Sequence, residues 1–431
     1  MPEPLLTPRS GLPDLIVDRV GFLASLEQIK AGAGPIAIDA ERASGYRYSQ
    51  RAYLIQIFRR GGGLHLIDPI AVNDPELWGE MNLALRDCEW IIHASTQDLP
   101  CLRELGIYPE RLFDTELGGR IAGCERVGLG PLSESLLDLQ LAKEHSAVDW
   151  SIRPLQFDWL NYAALDVDVL IDLRDAVETL LLERGKLEWA IEDFSQILKN
   201  PPSPARIDPW RRTSGMHKIR DRMTLAIIRA LWLARDEFAR EVDIAPGRIF
   251  NDEVLIEIAT RRPTKIDEFS KIVKRRSRVN NAPTTEWFAL LQKSLLLPLE
   301  ELPVLRLPNA GLPPIKLWKD RNPRGHARLT HARAAVIELA KELDLPVENL
   351  ISPEVIRQLC WKNPPESEIE GYIEDTLRSH GARPWQIAQI TPTLVEPMQA
   401  TEPLVVPDPP QEPPLDPTQD PTQDPEVPTE E

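Results

Sequence analysis

Asp39 and Glu41 stand one residue apart at the end of the apolar run Ile36-Ala37-Ile38, inside IAIDAERASGYRYSQRAYLIQI (36–57), where a buried strand should carry no charge. On a strand, residues i and i+2 face the same side, so the two carboxylates project together. Burying them without compensation is costly, and each raises the pKa of the other unless a cation sits between them. Oxygen ligands without a nearby Cys or His pair point to a hard cation, Mg²⁺ or Mn²⁺, rather than zinc. Taken alone, a DxE is weak evidence, since many surface strands carry one.

Two later stretches supply more of the same chemistry. WIIHASTQDLPCL (90–102) reads as a buried strand running into a helix, with Asp98 near the helix N-terminus behind two residues able to cap it, Ser95 and Thr96. Singly, Asp98 reads as a favourable first-turn acid. In WLNYAALDVDVLIDL (159–173), Tyr162 and Asp166 are i and i+4 and share a helix face. The same helix carries Asp168 and Asp172, so spacing alone does not choose Asp166, and an ordinary amphipathic helix fits as well.

The elements that position these groups change character along the chain. Up to about residue 115, short apolar runs alternate with turns, and Gly61-Gly62-Gly63 marks a hairpin between two of them. This predicts three meandering strands followed by strands alternating with helices, a mixed sheet covered by helices. Beyond 115 the period is helical, and beyond 215 two helical sets follow, 217–298 and about 318–391.

With 431 residues, 42% of them hydrophobic, the chain predicts about two to four domains of a soluble globular protein. It has no apolar run long enough for a transmembrane helix, and its first residues do not look like a secretory signal. Four cysteines, at 88, 101, 124 and 360, form no CxxC pair and read as reduced thiols of a cytoplasmic protein. The net charge of −17 divides unevenly: −13 over 1–205, +7 over 206–298, −1 over 299–391 and −10 over 392–431. The whole-chain value argues against nucleic acid, whereas the basic middle segment argues for it.

Proline-rich boundaries give the expected organisation. A flexible N-terminus (1–13) precedes an α/β domain (14–197), a linker (198–212), a helical domain (213–298), a second linker (299–316) and a second helical domain (317–391). From 392 to 431, 12 of 40 residues are proline and DPTQ repeats, which predicts a disordered acidic tail. That tail reads as a solubiliser, a decoy for basic surfaces or a docking segment for a protein partner.

In order, the DxE, the HAxxxD ending at Asp98 and the YxxxD from Tyr162 to Asp166 resemble the three motifs of the DEDDy 3′–5′ exonucleases, and among them the ribonuclease D family. VDWSIRPL (148–155) resembles that family's lead into the third motif, and WRRTSGMHKIR onward (210–269) resembles its HRDC helical domain. The later helices repeat the HRDC pattern more loosely, with DLPVENLISPEVI set against DIAPGRIFNDEVL. The resemblance implies a ribonuclease H-like mixed sheet with flanking helices, two all-α HRDC-like domains, and a 3′–5′ exoribonuclease acting on RNA 3′ ends such as tRNA precursors. It further implies two divalent ions, Asp39 bridging both, Glu41 and Asp166 completing one and Asp98 supporting the other, with Tyr162 orienting a nucleophilic water and 5′-nucleoside monophosphates released. It leans to a monomer. Ala40 stands where family members often carry threonine, and Ser95-Thr96-Gln97 departs from the usual second motif, which leaves substrate preference open.

Further candidates follow from position. His93 reads as a support for the site or as a packed histidine, and Asp114 as a group near the metals or a helix cap. Lys143, Trp150 and Arg153 are candidate RNA contacts, with core packing favoured for Trp150, and the cluster Arg261, Arg262, Lys274, Arg275 and Arg276 is a phosphate-binding surface or a solvated helix face. Two readings compete with the exoribonuclease: a DNA exonuclease of the same fold, and a non-catalytic nucleic-acid adaptor.

Overall fold

The computed structural model describes residues 2–142, 148–201, 206–307, 311–364 and 366–404. Two short strands, β1 (Glu3–Leu5) and β2 (Leu15–Ile16), precede α1 (Arg19–Ala31). The predicted meander follows as β3 (Ile36–Arg42), β4 (Ala52–Arg59) and β5 (Gly63–Ile67). Its hairpin needs glycine, because Gly61 and Gly63 sit at φ +74° and +88°. Helices and strands then alternate: α2 (Pro75–Ala84), β6 (Glu89–Ile92), α3 (Leu99–Glu104), β7 (Arg111–Asp114), α4 (Thr115–Ala122), α5 (Leu129–Leu137) and β8 (Leu139–Leu141). Three helices, α6 (Phe157–Asp168), α7 (Leu170–Glu183) and α8 (Leu187–Lys199), close the domain.

The main sheet has the order β2-β5-β4-β3-β6-β7, antiparallel within the meander and parallel elsewhere. β3 is therefore interior, hydrogen-bonded on both sides, and α6 packs on β3, β4 and β5. The mixed α/β class agrees with the sequence reading.

Two expected boundaries do not. The N-terminal segment read as flexible contributes β1, which pairs in parallel with β8 (Glu3 opposite Leu139, Leu5 opposite Leu141). Asn161 Nδ2 on α6 donates to the Leu6 carbonyl at 2.8 Å, and Arg9 pairs with Asp172, so the segment is tied down by side chains far away in sequence. Residues 392–399, read as the start of the tail, belong to the last helix, which runs through Pro392 and Pro397 to Gln399, and the rest of that segment from 405 on lies outside the described residues. Proline removes a backbone donor and normally breaks a helix; here burial of Ile390, Leu394 and Met398 offsets that loss.

The first helical domain comprises α9 (Arg222–Glu241), α10 (Pro246–Ile249), α11 (Asp252–Arg261), α12 (Ile266–Lys274) and α13 (Thr284–Leu295), around a core of its own that includes Phe250, Phe269 and Trp287. The second comprises α14 (Trp318–Arg321), α15 (Pro323–Glu342), α16 (Val347–Leu350), α17 (Pro353–Trp361), α18 (Ile369–Ser379) and α19 (Pro384–Gln399), and its core is continuous with that of the catalytic domain. Among the described residues no helix is long and apolar enough to cross a membrane.

Candidate active site

The carboxylates predicted from three separate stretches meet at one end of the central strand. Ile36, Ala37 and Ile38 fix β3 in the core, and the strand's last turns carry Asp39 and Glu41 out of it on one face. α6, held against the sheet by Trp159, Ala163 and Val167, presents Asp166 to the same point. Oxygens of Asp39, Glu41 and Asp166 lie within 4.8 Å of one another.

Asp98 joins them from the turn between β6 and α3. It occupies the N-cap position of α3 without making a capping bond, which leaves its carboxylate for the site. It is hydrogen-bonded to Asp39 and lies 3.3 Å from Arg42 Nη2. The turn itself is stapled to the next strand. Asp114 at the end of β7 accepts from the Ala94 and Ser95 amides at 3.2 and 2.8 Å and from Ser95 Oγ at 2.7 Å, and it caps α4 through the Leu117 amide. His93 Nδ1 meets Thr115 Oγ1 at 2.9 Å beside it.

The electrostatics are those of a site short of positive charge. Burial, then the Asp39 charge, pushes Asp98 up to about 8. Burial raises Asp39 against the pull of the Ala40 amide, the Asp98 hydrogen bond and Arg42. Glu41 rises well above its usual range through burial and then the charges of Asp39, Asp166 and Asp98; Asp166 does so through burial and then Asp39. Tyr162 donates to Asp166, and burial together with the surrounding carboxylates raises its pKa beyond the ordinary value. Burial lowers His93 against the opposing charge of Asp114. A compact set of oxygen ligands, each disfavoured as a bare anion, is compatible with a divalent cation. The carboxylates open onto a cleft of about 550 Å³, whose other wall includes Gln97, Arg126, Gln140 and Leu141. The β1–β8 pair thus holds one wall of the cleft.

Three family models match the chain: a 3′–5′ exonuclease over residues 16–182, an HRDC domain over 224–289, and a 3′ to 5′ exonuclease C-terminal domain over 311–398. Ribonuclease D of Escherichia coli (strain K12) is 27% identical over 360 residues, 81% of this chain and 92% of that protein. Along most of its length the chain resembles ribonuclease D, with a 3′–5′ exonuclease domain followed by an HRDC domain. The crystal structure of that E. coli ribonuclease D shares the fold, with a TM-score of 0.60 and 23% identity over 85% of this chain and 99% of that one. Ribonuclease D of Desulfotalea psychrophila is 28% identical over 240 residues, 54% of this chain, and the chain spans only 63% of that relative's length. A solved structure from Bifidobacterium adolescentis is 38% identical with a TM-score of 0.84, covering 93% of this chain and 100% of that one.

Within this ribonuclease D fold, the predicted nucleic-acid contacts fare unevenly. Trp150 is fully buried, 5.7 Å from the Trp159 ring, and is a core residue rather than a stacking platform. Arg153 is also structural. It forks onto Asp68 at 2.6 and 2.9 Å and donates to the carbonyls of Trp150, Ile152 and Tyr53, which spends its donors inside the protein. Lys143 lies outside the described residues. On the first HRDC domain, Arg261 and Arg275 both pair with Glu257, Arg262 with Asp221 and Arg276 with Glu253, while Lys274 is exposed without an ion pair among the described residues. Gln56, opposite Asp39 in the sheet, is buried.

Arg42 was not among the predicted residues. Strand alternation places it on the face opposite Glu41. The pairing with β4 jumps from Leu54 to Ala52 between Glu41 and Arg42, an irregularity of the kind that re-aims side chains beside active sites. Its Nε is buried without a hydrogen-bond partner. The one signal in the sequence was the basic residue directly after the DxE.

Proposed function

We propose that this chain is a metal-dependent 3′–5′ exoribonuclease that shortens RNA 3′ ends, those of tRNA precursors and other structured RNAs, and releases 5′-nucleoside monophosphates. The observation that carries this reading is the meeting of Asp39, Glu41 and Asp166 within 4.8 Å, with Asp98 and Tyr162 beside them, at the floor of an open cleft. RNA is favoured because the E. coli ribonuclease D is an exoribonuclease involved in structured RNA processing.

Asp39, Glu41 and Asp166 would hold one divalent ion, Mg²⁺ or Mn²⁺, and Asp39 with Asp98 a second; bound there, such ions supply a water of lowered pKa and stabilise the oxygens of a phosphoryl displacement. The protein's own groups do the rest. The four acids carry protons at neutral pH more readily than ordinary carboxylates, so ion binding releases protons and strengthens as pH rises. Tyr162 stays a phenol and cannot act as a base. Its hydroxyl donates to Asp166 and its oxygen remains able to fix a water in line with the scissile bond. Asp114 and His93 act through position: they hold the Ala94–Asp98 turn rigid, which keeps Asp98 aimed at Asp39. Four thiols without a disulfide and an RNA substrate suit a cytoplasmic enzyme working as a monomer.

The test is trimming of a 5′-labelled, 3′-extended tRNA in Mg²⁺, Mn²⁺ or chelator. Stepwise shortening that needs the metal and falls about a thousandfold or more in Asp39→Ala is expected. A matched single-stranded DNA checks the sugar: equal trimming of DNA removes the RNA assignment, and binding without shortening replaces the enzyme by an adaptor.

A further inference from the structure

A second cleft, of about 580 Å³, lies where the first HRDC domain meets the catalytic domain. Gly45 of the loop after β3 forms one side, and Arg248, Asn251, Arg275, Arg276 and Arg278 form the other. Among the described residues, four guanidiniums line this cleft and no carboxylate does, whereas the catalytic cleft is lined by Asp39, Glu41, Asp98, Glu134 and Asp166.

The joint is built rather than incidental. Arg248 lies over the Tyr46 ring, 3.8 Å from its centroid, and its Nε donates to the Gly45 carbonyl at 2.8 Å. The Ala245 amide donates to the Tyr46 carbonyl at 3.0 Å. On the far side, the Arg278 amide donates to the Arg248 carbonyl at 2.9 Å, which folds the 275–278 turn over α10. Arg275 and Arg276 are tethered by Glu257 and Glu253, both of which lie outside the cleft lining. The Arg278 side chain is exposed and has no ion pair among the described residues. Asn251 uses its oxygen to cap α11 through the Val254 amide, so its NH₂ is left as a donor.

We infer that this cleft seats the backbone phosphates of the RNA strand whose 3′ end occupies the catalytic cleft. Gly45 follows Glu41 by four residues, a span of at most about 14 Å even fully extended, so an RNA strand entering the site has phosphates within reach of the seat. Guanidinium forks recognise phosphate oxygens whatever the base, which gives an enzyme that removes nucleotides in succession a grip indifferent to sequence. The inference rests on the exoribonuclease reading and adds a consequence to it: RNA long enough to reach the joint outcompetes RNA that is not.

The experiment compares a single-stranded RNA of about ten nucleotides with a dinucleotide, using the full chain, Arg278→Glu and Arg278→Lys, with melting temperatures taken to confirm that each variant folds. In wild type the longer RNA has the higher kcat/KM. In Arg278→Glu that advantage shrinks about tenfold, chiefly through KM, and the salt dependence of binding flattens, whereas Arg278→Lys keeps most of it. Inorganic phosphate, added as a free anion, inhibits the longer RNA more than the dinucleotide if the seat takes it. An unchanged length preference in Arg278→Glu, or an equal loss on both substrates, overturns the seat. Failure of the wild type to cleave either RNA overturns the exoribonuclease reading instead.

Discussion

Each helical domain contains a long helix, α9 or α15, then an aspartate in the left-handed region, Asp243 at φ +48° or Asp344 at φ +47°, then the single-turn helix α10 or α16. In both, that aspartate reaches an arginine of the catalytic domain, Arg51 for Asp243 and Arg184 for Asp344. Beyond this shared joint the two attachments diverge. The second domain continues the catalytic core: Trp385 stacks on Trp189 with ring centroids 4.8 Å apart, donates its indole N–H to Asp193 at 2.7 Å, and α19 packs on α8. The first domain keeps its own core and meets the catalytic domain mainly through polar groups of the 45–51 loop: Ser49 to Asp243, Tyr48 to Asp236 and Arg240, and Gly45 to Arg248. Apolar continuity makes a fixed buttress, and a polar seam resembles a transient interface that allows relative motion. Only the first domain carries the +7 charge. Of two like units, one has become part of the enzyme's body and the other keeps a core of its own.

Breaking the fixed joint gives the largest effect on stability. Trp385→Ala removes a buried indole from a continuous core and should cost about 3–5 kcal/mol. Chemical denaturation followed by tryptophan fluorescence and by circular dichroism should show the catalytic and second helical domains unfolding together at lower denaturant. Separate transitions would mean that the shared core is not cooperative.

Arg42 lies at the catalytic end of the loop that leads to the polar seam, 3.3 Å from Asp98, where its positive charge would compete with a bound divalent ion. Arg42→Gln should tighten Mn²⁺ binding several-fold in calorimetric titration, while KM for RNA rises because the guanidinium with its unpartnered Nε is gone. Weaker metal binding would show that Arg42 orders the carboxylates rather than competing for them.

At the polar seam, Asp243→Asn removes one partly exposed ion pair and should lower global stability by about 1 kcal/mol or less. Limited proteolysis should nonetheless cut the 43–51 loop faster, because the first domain is loosened without being unfolded. The smallest effect is in pH, and it has opposite signs at the two joints. At Asp243, burial alone would raise the carboxyl, but the Ser49 amide and Arg51 hold it below its usual range. Its contribution is present above the unfolded pKa and is lost as pH falls through the folded one. At Asp193, burial raises the carboxyl in spite of Arg383 and Trp385. Its contribution is full below the unfolded pKa and is lost as pH rises through the folded one. Melting curves of Asp243→Asn should therefore converge on wild type in acid, and those of Asp193→Asn should show a weaker decline from acid toward neutral pH.

The catalytic constellation was legible because its chemistry breaks the rules of its surroundings. Carboxylates at the end of a β-branched run, and a tyrosine one turn before an aspartate, are expensive unless they meet. Asp98 was less legible, since an acid at a helix start is ordinary; only the fold shows that it declines to cap α3. Arg42 escaped because alternation gives the wrong face where the pairing slips. β1 escaped because three residues with a proline at their centre carry no period, and its partner lies at 139–141. The end of α19 was misplaced because proline content outweighed an apolar stripe whose covering helix, α15, lies far upstream. Arg153 was drawn toward RNA by residue type, whereas it serves as a guanidinium for Asp68; Trp150, for which core packing was favoured, is the partner ring for Trp159.

The continuity of one core across two distant parts of the chain also governs the order in which the molecule is made. Residues 213–298 lie between the two halves of that core and close on themselves, with contacts local in sequence. On a ribosome they can fold as soon as they emerge. The catalytic body cannot. Its apolar surface around Trp189 and α8 waits for Trp385 and Leu394, nearly two hundred residues later. The catalytic body is therefore covered in full only after the helical domain inserted between its two halves is already complete.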